Sequence, residues 1–244
     1  MRRSALLGAS GNNNSGVGST LLFESSFESA FTDWHTCQWQ SRNDDCSTYN
    51  GTSEYPATIV TSDGRPTAAR FELRDGDVPP FGGNERTEIT APPICDVTEG
   101  DERWWSWDMA FSGSWTAPTG SFCLVMQWHH LASESGSPPL CLDIDTDNHM
   151  YVANNDASGY TRLDIGPVDP GEWHNYSFHA VFSEDDEVGF VEARIDGALV
   201  LPRHYHRTLV VGDGGGYLKF GIYRASSNTA THIVLFDNVR VYGP

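Results

Sequence analysis

The segment Tyr217–Arg224 reads YLKFGIYR, and its side chains alternate between apolar and polar or reactive types. Successive side chains of a β-strand point to opposite faces. As a strand, the segment therefore has one wholly apolar face, formed by Leu218, Phe220 and Ile222. Its other face carries groups that can hold charge or move a proton, those of Tyr217, Lys219 and Tyr223. Gly221 lies between the last two and leaves room for a ligand.

Two further segments have the same property when they are read as strands. Arg86–Ile89 (RTEI) places Arg86 and Glu88 on one face of the strand and Thr87 and Ile89 on the other. Phe122–His129 (FCLVMQWH) has one face formed by Phe122, Leu124, Met126 and Trp128, and the opposite face carries Gln127 and His129. If the three strands share a sheet, Arg, Gln, His, Lys and Tyr side chains converge on its open face.

The length and composition favour a large β domain. The chain has 244 residues, with 8 Trp, 9 Tyr and 12 Phe among them, and 24 Gly and 13 Pro that suit many turns. Short alternating runs between turn clusters dominate, and long helical periodicity is absent. We predict an all-β fold, a two-sheet antiparallel jelly roll, as one domain over residues 21–244. Residues 1–20, rich in Gly, Asn and Ser, are predicted to form a flexible arm or one that docks on another protein chain.

The three segments resemble the signature motifs of jelly-roll polysaccharide lyases. R-T-E, Q-x-H and Y-x-K-x-G-x-Y occur here in the order found in alginate lyases, and the last two are shared with the heparin lyase I and glucuronan lyase group. Further stretches resemble the heparin/glucuronan group, namely Arg70–Asp77, Gly171–Tyr176, Val191–Gly197 and Phe236–Tyr242. The resemblance runs from about Phe23 to Tyr242 and implies a concanavalin A-like sandwich that cleaves uronic-acid polysaccharides.

Such lyases act by β-elimination, in which the C5 proton of a uronate is removed and the C4–O bond breaks. The site needs donors that neutralise the carboxylate, a base near C5 and an acid near the glycosidic oxygen. Arg86 and Gln127 suit the carboxylate, His129 suits the base and Tyr223 suits the acid, and the resemblance implies the same roles. In some lyases of this shape the tyrosine serves as both base and acid. Substrate-binding candidates in or beside the motif strands are Lys219, Tyr217, Glu88, Arg74 and Arg224.

The formal net charge of −18 argues against general binding to nucleic acid or to an anionic membrane. It also makes a highly sulfated substrate such as heparin less favourable than a glucuronan-like or alginate-like polymer. Lys219 is the only lysine in the chain, and its place within the third motif suggests a functional role. We therefore predict an acidic polysaccharide as the partner.

No cofactor is required by this chemistry, although a structural calcium is compatible with the resemblance. The run Asp143–Asn148 (DIDTDN) looks like a calcium loop but lacks the Gly and Glu of an EF-hand, so we interpret it as a strand that enters a turn. Among the five cysteines, Cys37 could pair with Cys46 and Cys123 with Cys141. The odd count leaves at least one thiol free or intermolecular, and Cys95 suits a free buried thiol. The absence of a C-x-x-C pair makes a zinc site unlikely.

A second class of function remains open at the level of sequence. Lectin-like sandwiches bind sugars without chemistry, so the chain could be a non-catalytic carbohydrate-binding module, or a decoration or tail module of a larger particle such as a phage virion. Taken singly, Arg86 with Glu88 is typical of an exposed charge pair, and His129 or Tyr223 of a structural residue. No clear signal peptide is present, and we expect an extracellular or particle-associated protein.

Overall fold

The computed structural model describes residues 18–131, 137–156 and 159–244. Most of the predicted N-terminal arm, residues 1–17, lies outside the described residues, and so the arm stays a prediction. The described residues form sixteen β-strands and two short 3-10 helices, Cys46–Thr48 and Pro93–Cys95. The strands are β1 (Thr20–Ser25), β2 (Thr36–Trp39), β3 (Arg42–Asp45), β4 (Ala57–Ser62), β5 (Arg65–Leu73), β6 (Glu85–Thr90), β7 (Glu102–Phe111), β8 (Cys123–His130), β9 (Leu140–Ile144), β10 (His149–Asp156), β11 (Gly159–Pro167), β12 (Trp173–Val181), β13 (Phe190–Ile195), β14 (Ala198–Tyr205), β15 (Gly216–Arg224) and β16 (His232–Gly243).

The strands form two antiparallel sheets of eight strands each. One sheet, called the back sheet here, has the order β14-β13-β12-β7-β16-β5-β4, with β1 also pairing with β16. The other, called the cleft sheet, has the order β11-β10-β9-β8-β15-β6-β2-β3. Seven of the fourteen pairs of neighbouring strands, among them β7-β16, β8-β15 and β15-β6, are not consecutive in the chain, as jelly-roll connections require. The predicted all-β, two-sheet antiparallel jelly roll is confirmed.

Aromatic side chains from both sheets fill the space between them. Trp105 of the back sheet meets Trp128 of the cleft sheet edge to face, with ring centroids 4.9 Å apart. Phe220 contacts Trp107 and Phe236 in the same way, at 5.8 and 5.2 Å. These five rings are at most 1% exposed. Such contacts add to the burial of apolar area, and they fix the apolar face of β15 inward and its polar face outward.

The alternation predicted for β8 is interrupted by a β-bulge. The register shifts between Leu124 and Met126 relative to β9, so Val125 and Met126, which are neighbours, both lie in the core. A bulge adds one residue to a strand and reverses the alternation beyond it. Leu124 therefore faces outward and packs with Phe122 and Tyr223. Our prediction that Leu124 shares a face with Met126 and Trp128 is wrong for this reason.

The cysteines divide between a disulfide and buried thiols. Cys37 and Cys46 form a disulfide at the β2–β3 edge of the cleft sheet. Cys123 and Cys141 lie on neighbouring strands, but Cys123 belongs to the main core and Cys141 to the small cluster on the outer face. Because their side chains point to opposite faces, they cannot form the second disulfide considered from the sequence. Cys95 is a buried thiol as well.

The run Asp143–Asn148 ends β9 and forms a turn, as interpreted from the sequence. The Asp143 and Asp145 carboxylates both pair with Arg162, and Asn148 has a φ of 62° at the turn. In the part of the chain that the structure describes, no group of three or more His, Cys, Asp or Glu side chains is arranged to hold a metal ion. None of the described helices is long and apolar enough to cross a membrane.

Candidate active site

The three motif strands are neighbours in the cleft sheet, in the order β8-β15-β6. Tyr223 is the register partner of Arg86 on β6 and of Leu124 on β8. Tyr217 is the partner of His129. This register brings Arg86, Gln127, His129 and Tyr223 to one cleft of about 560 Å³. The cleft is lined by Phe81, Gly82, Gly83, Asn84, Arg86, Ser121, Phe122, Leu124, Gln127, His129, Ser137, Pro138, Cys141, Tyr160 and Tyr223.

Gly221 allows the two strands β6 and β15 to approach closely at the cleft. Its φ is +131°, a conformation that side chains other than hydrogen disfavour. A Cβ atom there would lie 2.1 Å from the Thr87 carbonyl oxygen and 2.8 Å from the Glu88 Cα. The glycine of the third motif is therefore required by the backbone, in addition to leaving space above the sheet.

Glu88 connects the polar side chains beneath the cleft. Its Oε1 accepts a hydrogen bond from the Gln127 amide, and its Oε2 lies 3.3 Å from Arg86 Nη1 and 3.9 Å from Lys219 Nζ. Glu88 is only 2% exposed. A buried carboxylate needs such partners to offset its desolvation. Glu88 therefore orients Gln127 and Arg86, and their remaining N–H groups stay available for an anion in the cleft.

Arg86 is also held by aromatic rings. Its guanidinium carbon lies 4.1 Å from the Tyr223 ring centroid and 5.2 Å from that of Phe81. A guanidinium over an aromatic face is attracted by the ring quadrupole. Arg86 Nε is buried without a hydrogen-bond partner among the described residues, so the side chain retains unused donor capacity. This placement makes Arg86 a preorganised cation at the cleft.

His129 is held as a neutral imidazole. Its Nδ1 lies 3.0 Å from the His130 carbonyl oxygen, which can only accept, so Nδ1 carries the hydrogen and Nε2 keeps a free lone pair. Burial, together with the neighbouring Lys219 ammonium, lowers the pKa of His129 to about 4. The ring therefore offers a proton acceptor at neutral pH.

Tyr223 has its hydroxyl oriented by the loop that precedes β6. The Asn84 side-chain amide donates to the Tyr223 hydroxyl oxygen at 3.4 Å. The Phe122 ring packs against the tyrosine, with centroids 5.0 Å apart. Since the oxygen accepts from Asn84, its own hydrogen is free to be donated to another group.

Lys219 lies deeper than the four cleft residues, and Tyr217 lies further along the sheet. Lys219 is 2% exposed, and its Nζ donates to Gln38 Oε1 at 3.1 Å. Burial lowers the pKa of Lys219. Tyr217 has its ring centroid 5.3 Å from that of His129, and burial raises its pKa to about 12. Lys219 therefore acts from beneath the cleft, and Tyr217 marks its boundary.

None of the five residues predicted to bind substrate is among the described residues that line the cleft. Glu88 and Lys219 lie beneath it and Tyr217 lies at its boundary, whereas Arg224 and Arg74 are held in other ion pairs. Arg224 is fully buried and pairs with Glu85 at 2.8 Å, and it contacts His232 Nδ1 at 3.0 Å. Arg74 lies beyond the end of β5, where its guanidinium carbon is 3.7 Å from the Tyr55 ring centroid and its Nε bonds Glu72. The assignment of these two arginines to substrate binding is therefore wrong. Arg224 forms an internal ion pair, and Arg74 belongs to a separate surface network.

Several residues that line the cleft were not assigned to the site from the sequence, among them Phe81, Asn84, Cys141 and Tyr160. Phe81 and Asn84 belong to the segment PPFGGN directly before the first motif, and its Pro and Gly residues were the available signal for a shaped loop. Tyr160 and Cys141 come from strands outside the three motifs, and no local pattern connected them with the cleft.

The charge of the cleft differs from that of the whole chain. Arg86 is a cation, and none of the described residues that line the cleft is Asp or Glu. The chain as a whole contains 33 acidic residues against 15 Lys and Arg. An acidic protein can therefore offer an anionic ligand a locally neutral to positive cleft.

Comparison with known proteins identifies the family and the fold. The family model of polysaccharide lyases matches residues 28–240. Among solved structures, the fold is similar to an endo-β-1,4-glucuronan lyase from the fungus Trichoderma reesei, with a TM-score of 0.69, 16% identity, and coverage of 92% of this chain and 96% of that chain.

Alginate lyases have the same fold. For the enzyme from Corynebacterium sp. the TM-score is 0.62 at 13% identity, with 91% of this chain and 99% of that chain covered. For a family 7 alginate lyase in complex with substrate, the TM-score is 0.65 at 12% identity, with 89% and 95% covered. Curated protein sequences give no significant match. Because the family model covers most of its length, and in agreement with the resemblance of its three motifs, the chain belongs to the polysaccharide lyase family.

Proposed function

We propose that the protein cleaves a uronic-acid-containing polysaccharide by β-elimination at the cleft of β6, β8 and β15. One observation carries this proposal: Arg86, Gln127, His129 and Tyr223 line a single cleft. These four supply the donors, the base and the acid that the reaction needs. A protein that only binds sugar has no need for a base and an acid beside one cation.

The steps follow from the arrangement of these groups. Arg86 and Gln127 bind the uronate carboxylate and stabilise the negative charge that develops on it when C5 loses its proton. His129 Nε2 takes that proton. The electron pair then forms the C4–C5 double bond while the C4–O bond breaks, and Tyr223 gives its hydroxyl proton to the leaving oxygen. The products are an unsaturated uronate end and a new reducing end.

Related structures support this division of roles. The family 7 alginate lyase complex with substrate is that of a variant in which a histidine is replaced by asparagine and a tyrosine by phenylalanine. A histidine and a tyrosine are also the two groups to which we assign proton transfer. The relatives named above are lyases of glucuronan and alginate, which are polymers of uronates. Among the described residues that line the cleft, Arg86 is the only Lys or Arg, which favours a uronate polymer of low sulfation over a highly sulfated one.

The disulfide between Cys37 and Cys46 favours an extracellular working place, since disulfides persist in oxidising compartments. Association with a particle and docking of the N-terminal arm remain predictions. A structural calcium also remains a prediction, and the steps above do not need it.

The test is incubation with a panel of glucuronan, alginate, hyaluronan and heparin, followed through the ultraviolet absorbance of unsaturated uronate ends. We expect absorbance to rise with at least one polymer of low sulfation, and not with the Tyr223→Phe variant. If no polymer of the panel is cleaved but one binds, the protein is a carbohydrate-binding module and the proposal is wrong.

A further inference from the structure

A second pocket lies on the cleft sheet on the other side of Tyr217. Its volume is about 290 Å³. It is lined by His35, Thr36, Gln38, Thr90, Ala91, Pro93, Asp96, Leu131 and Tyr217. The Tyr217 ring, 5.3 Å from the His129 ring, separates this pocket from the cleft. A polymer that is cut beside His129 and continues past Tyr217 therefore places a neighbouring sugar in the second pocket.

Asp96 is the acidic residue among the described residues of this lining. Its backbone N–H bonds the Pro93 carbonyl oxygen at 3.1 Å and ends the second 3-10 helix. Among the described residues, none donates a hydrogen bond to the Asp96 side chain. Burial, opposed in part by nearby His35, raises the pKa of this carboxyl to about 6. The carboxylate is half-buried and lines the pocket, so its oxygens are available to accept hydrogen bonds from a ligand.

Among the described residues that line the second pocket, His35 is the only possible counter-charge for Asp96. No Lys or Arg is among its described lining residues. Lys219 is nearby in the sheet, but its Nζ is used by Gln38 and Glu88, and the side chain is 2% exposed. The cleft shows the opposite arrangement, with Arg86 and without an acidic lining residue. The two pockets therefore differ in the charge that they accept.

We propose that the second pocket selects an uncharged sugar, so that the substrate alternates a uronate with a neutral sugar. This inference rests on the proposed lyase function and narrows its substrate class. Hydroxyl groups of a neutral sugar can donate to the Asp96 carboxylate, and Thr36 and Gln38 supply further polar partners. A uronate in the same place would set its carboxylate against Asp96, and like charges at close range are unfavourable.

The test compares kcat/KM on a homopolymer, glucuronan, with kcat/KM on polymers that alternate glucuronate and a neutral sugar, of which hyaluronan is one. We expect the wild type to prefer an alternating polymer. In Asp96→Asn, kcat/KM on glucuronan should rise about tenfold, mainly through KM, because the repulsion is removed. Activity on the alternating polymer should fall, because an amide is a weaker acceptor of sugar hydroxyls.

Glu187→Gln is the matched control, since it removes one negative charge from an exposed position between β12 and β13 of the back sheet. It should leave the ratio of the two activities unchanged, and thermal melting should show that both variants are folded. An Asp96→Asn enzyme that cuts polymers with the wild-type ratio would overturn the neutral-sugar inference and leave the lyase function intact. Failure of the wild type to cut any polymer would overturn the lyase function, and this inference with it.

Discussion

The guanidinium carbon of Arg86 lies 4.1 Å from the ring centroid of Tyr223, and the two residues are direct partners in the register of β6 and β15. The ion pair with Glu88 holds the same guanidinium from the other side. One cation is thus fixed, before any ligand binds, beside both the proposed carboxylate site and the proposed acid. Catalysis gains most from charges that need no reorganisation during the reaction.

Replacing Tyr223 with Phe should remove the proton donor but keep the ring over Arg86. We expect kcat to fall roughly 10²- to 10⁴-fold, with little change in polymer affinity measured by calorimetry. Phe122→Leu is a suitable control, because it loosens the packing around the tyrosine without touching its hydroxyl. Near-normal turnover of Tyr223→Phe would remove the tyrosine from the mechanism.

Replacing Arg86 with Ala should damage both binding and turnover. The carboxylate contact exists in the ground state and strengthens as charge develops, so we expect KM to rise and kcat to fall. Arg86→Lys should recover only part of the loss, because an ammonium lacks the planar fork of the guanidinium. Steady-state kinetics on the preferred polymer checks this prediction, and a variant that changed KM alone would contradict it.

The protonation state of His129 can be measured directly. Its pKa is lowered from 6.5 to about 4, so the ring should stay neutral from high pH down to about 4 and bind a proton only below that. We expect an NMR titration of the free protein, with the His129 signal identified by its loss in His129→Asn, to show a midpoint far below 6.5. The acid side of the kcat/KM profile should not begin near pH 6.5. A midpoint close to 6.5 would show that burial does not hold the base neutral.

Glu88 and Lys219 should be coupled in stability. Glu88→Gln leaves the buried Lys219 ammonium without its carboxylate, and breaking such a pair from one side costs about 3 kcal/mol. Lys219→Met in the same chain should recover part of that loss, so that the two changes are not additive. Urea unfolding of the four proteins of this cycle provides the coupling energy. As a control, Glu192→Gln breaks a surface pair with Arg194 and should lower the free energy of unfolding by less than about 1 kcal/mol. If Glu88→Gln lowered it by no more than this control does, the buried coupling would be ruled out.

His232 should make the fold sensitive to acid. It is fully buried, and burial together with Arg224 lowers its pKa from 6.5 to about 4. Below pH 6.5 the unfolded chain binds a proton that the folded protein does not bind until about pH 4. Stability is therefore lost as pH falls through this window, by up to about 3 kcal/mol. His232→Gln should flatten that part of the urea-unfolding profile, and exposed His35→Gln should not. Parallel profiles for the wild type and His232→Gln would contradict the assignment.

Much of the site could be predicted because β15 keeps a strict period of two from Tyr217 to Tyr223. The extra residue in β8 could not be predicted. Val125 and Met126 are both apolar, so the sequence contains no sign that two neighbours enter the core together. The bulge leaves Gln127 and His129 on the outer face, as predicted. It also places Leu124 on that outer face, although Leu124 was predicted to face the core.

The misplacement of Arg224 has a different cause. The same period of two assigns Arg224 to the apolar face of β15, together with Ile222, but its charge suggested a role in substrate binding. A charged residue on a core face needs an internal partner, and the partner is Glu85, which is opposite it in the β6–β15 register. A pairing between distant segments cannot be seen in either segment alone, and this is also why Asn84 and Tyr160 were missed.

The disulfide at the edge of the cleft sheet connects the redox environment with the charges beneath the cleft. Cys37 is bonded to Cys46, and Gln38, the next residue, accepts the hydrogen bond of the only lysine in the chain. Reduction would remove the cross-link between the two strands of the β2–β3 hairpin, which among the described residues pairs with the rest of the sheet through β6. The hydrogen bond from Lys219 Nζ to Gln38 Oε1 would then be weakened, while the aromatic core between the sheets stayed intact. In a reducing environment the protein should therefore remain folded, while its affinity for the substrate falls.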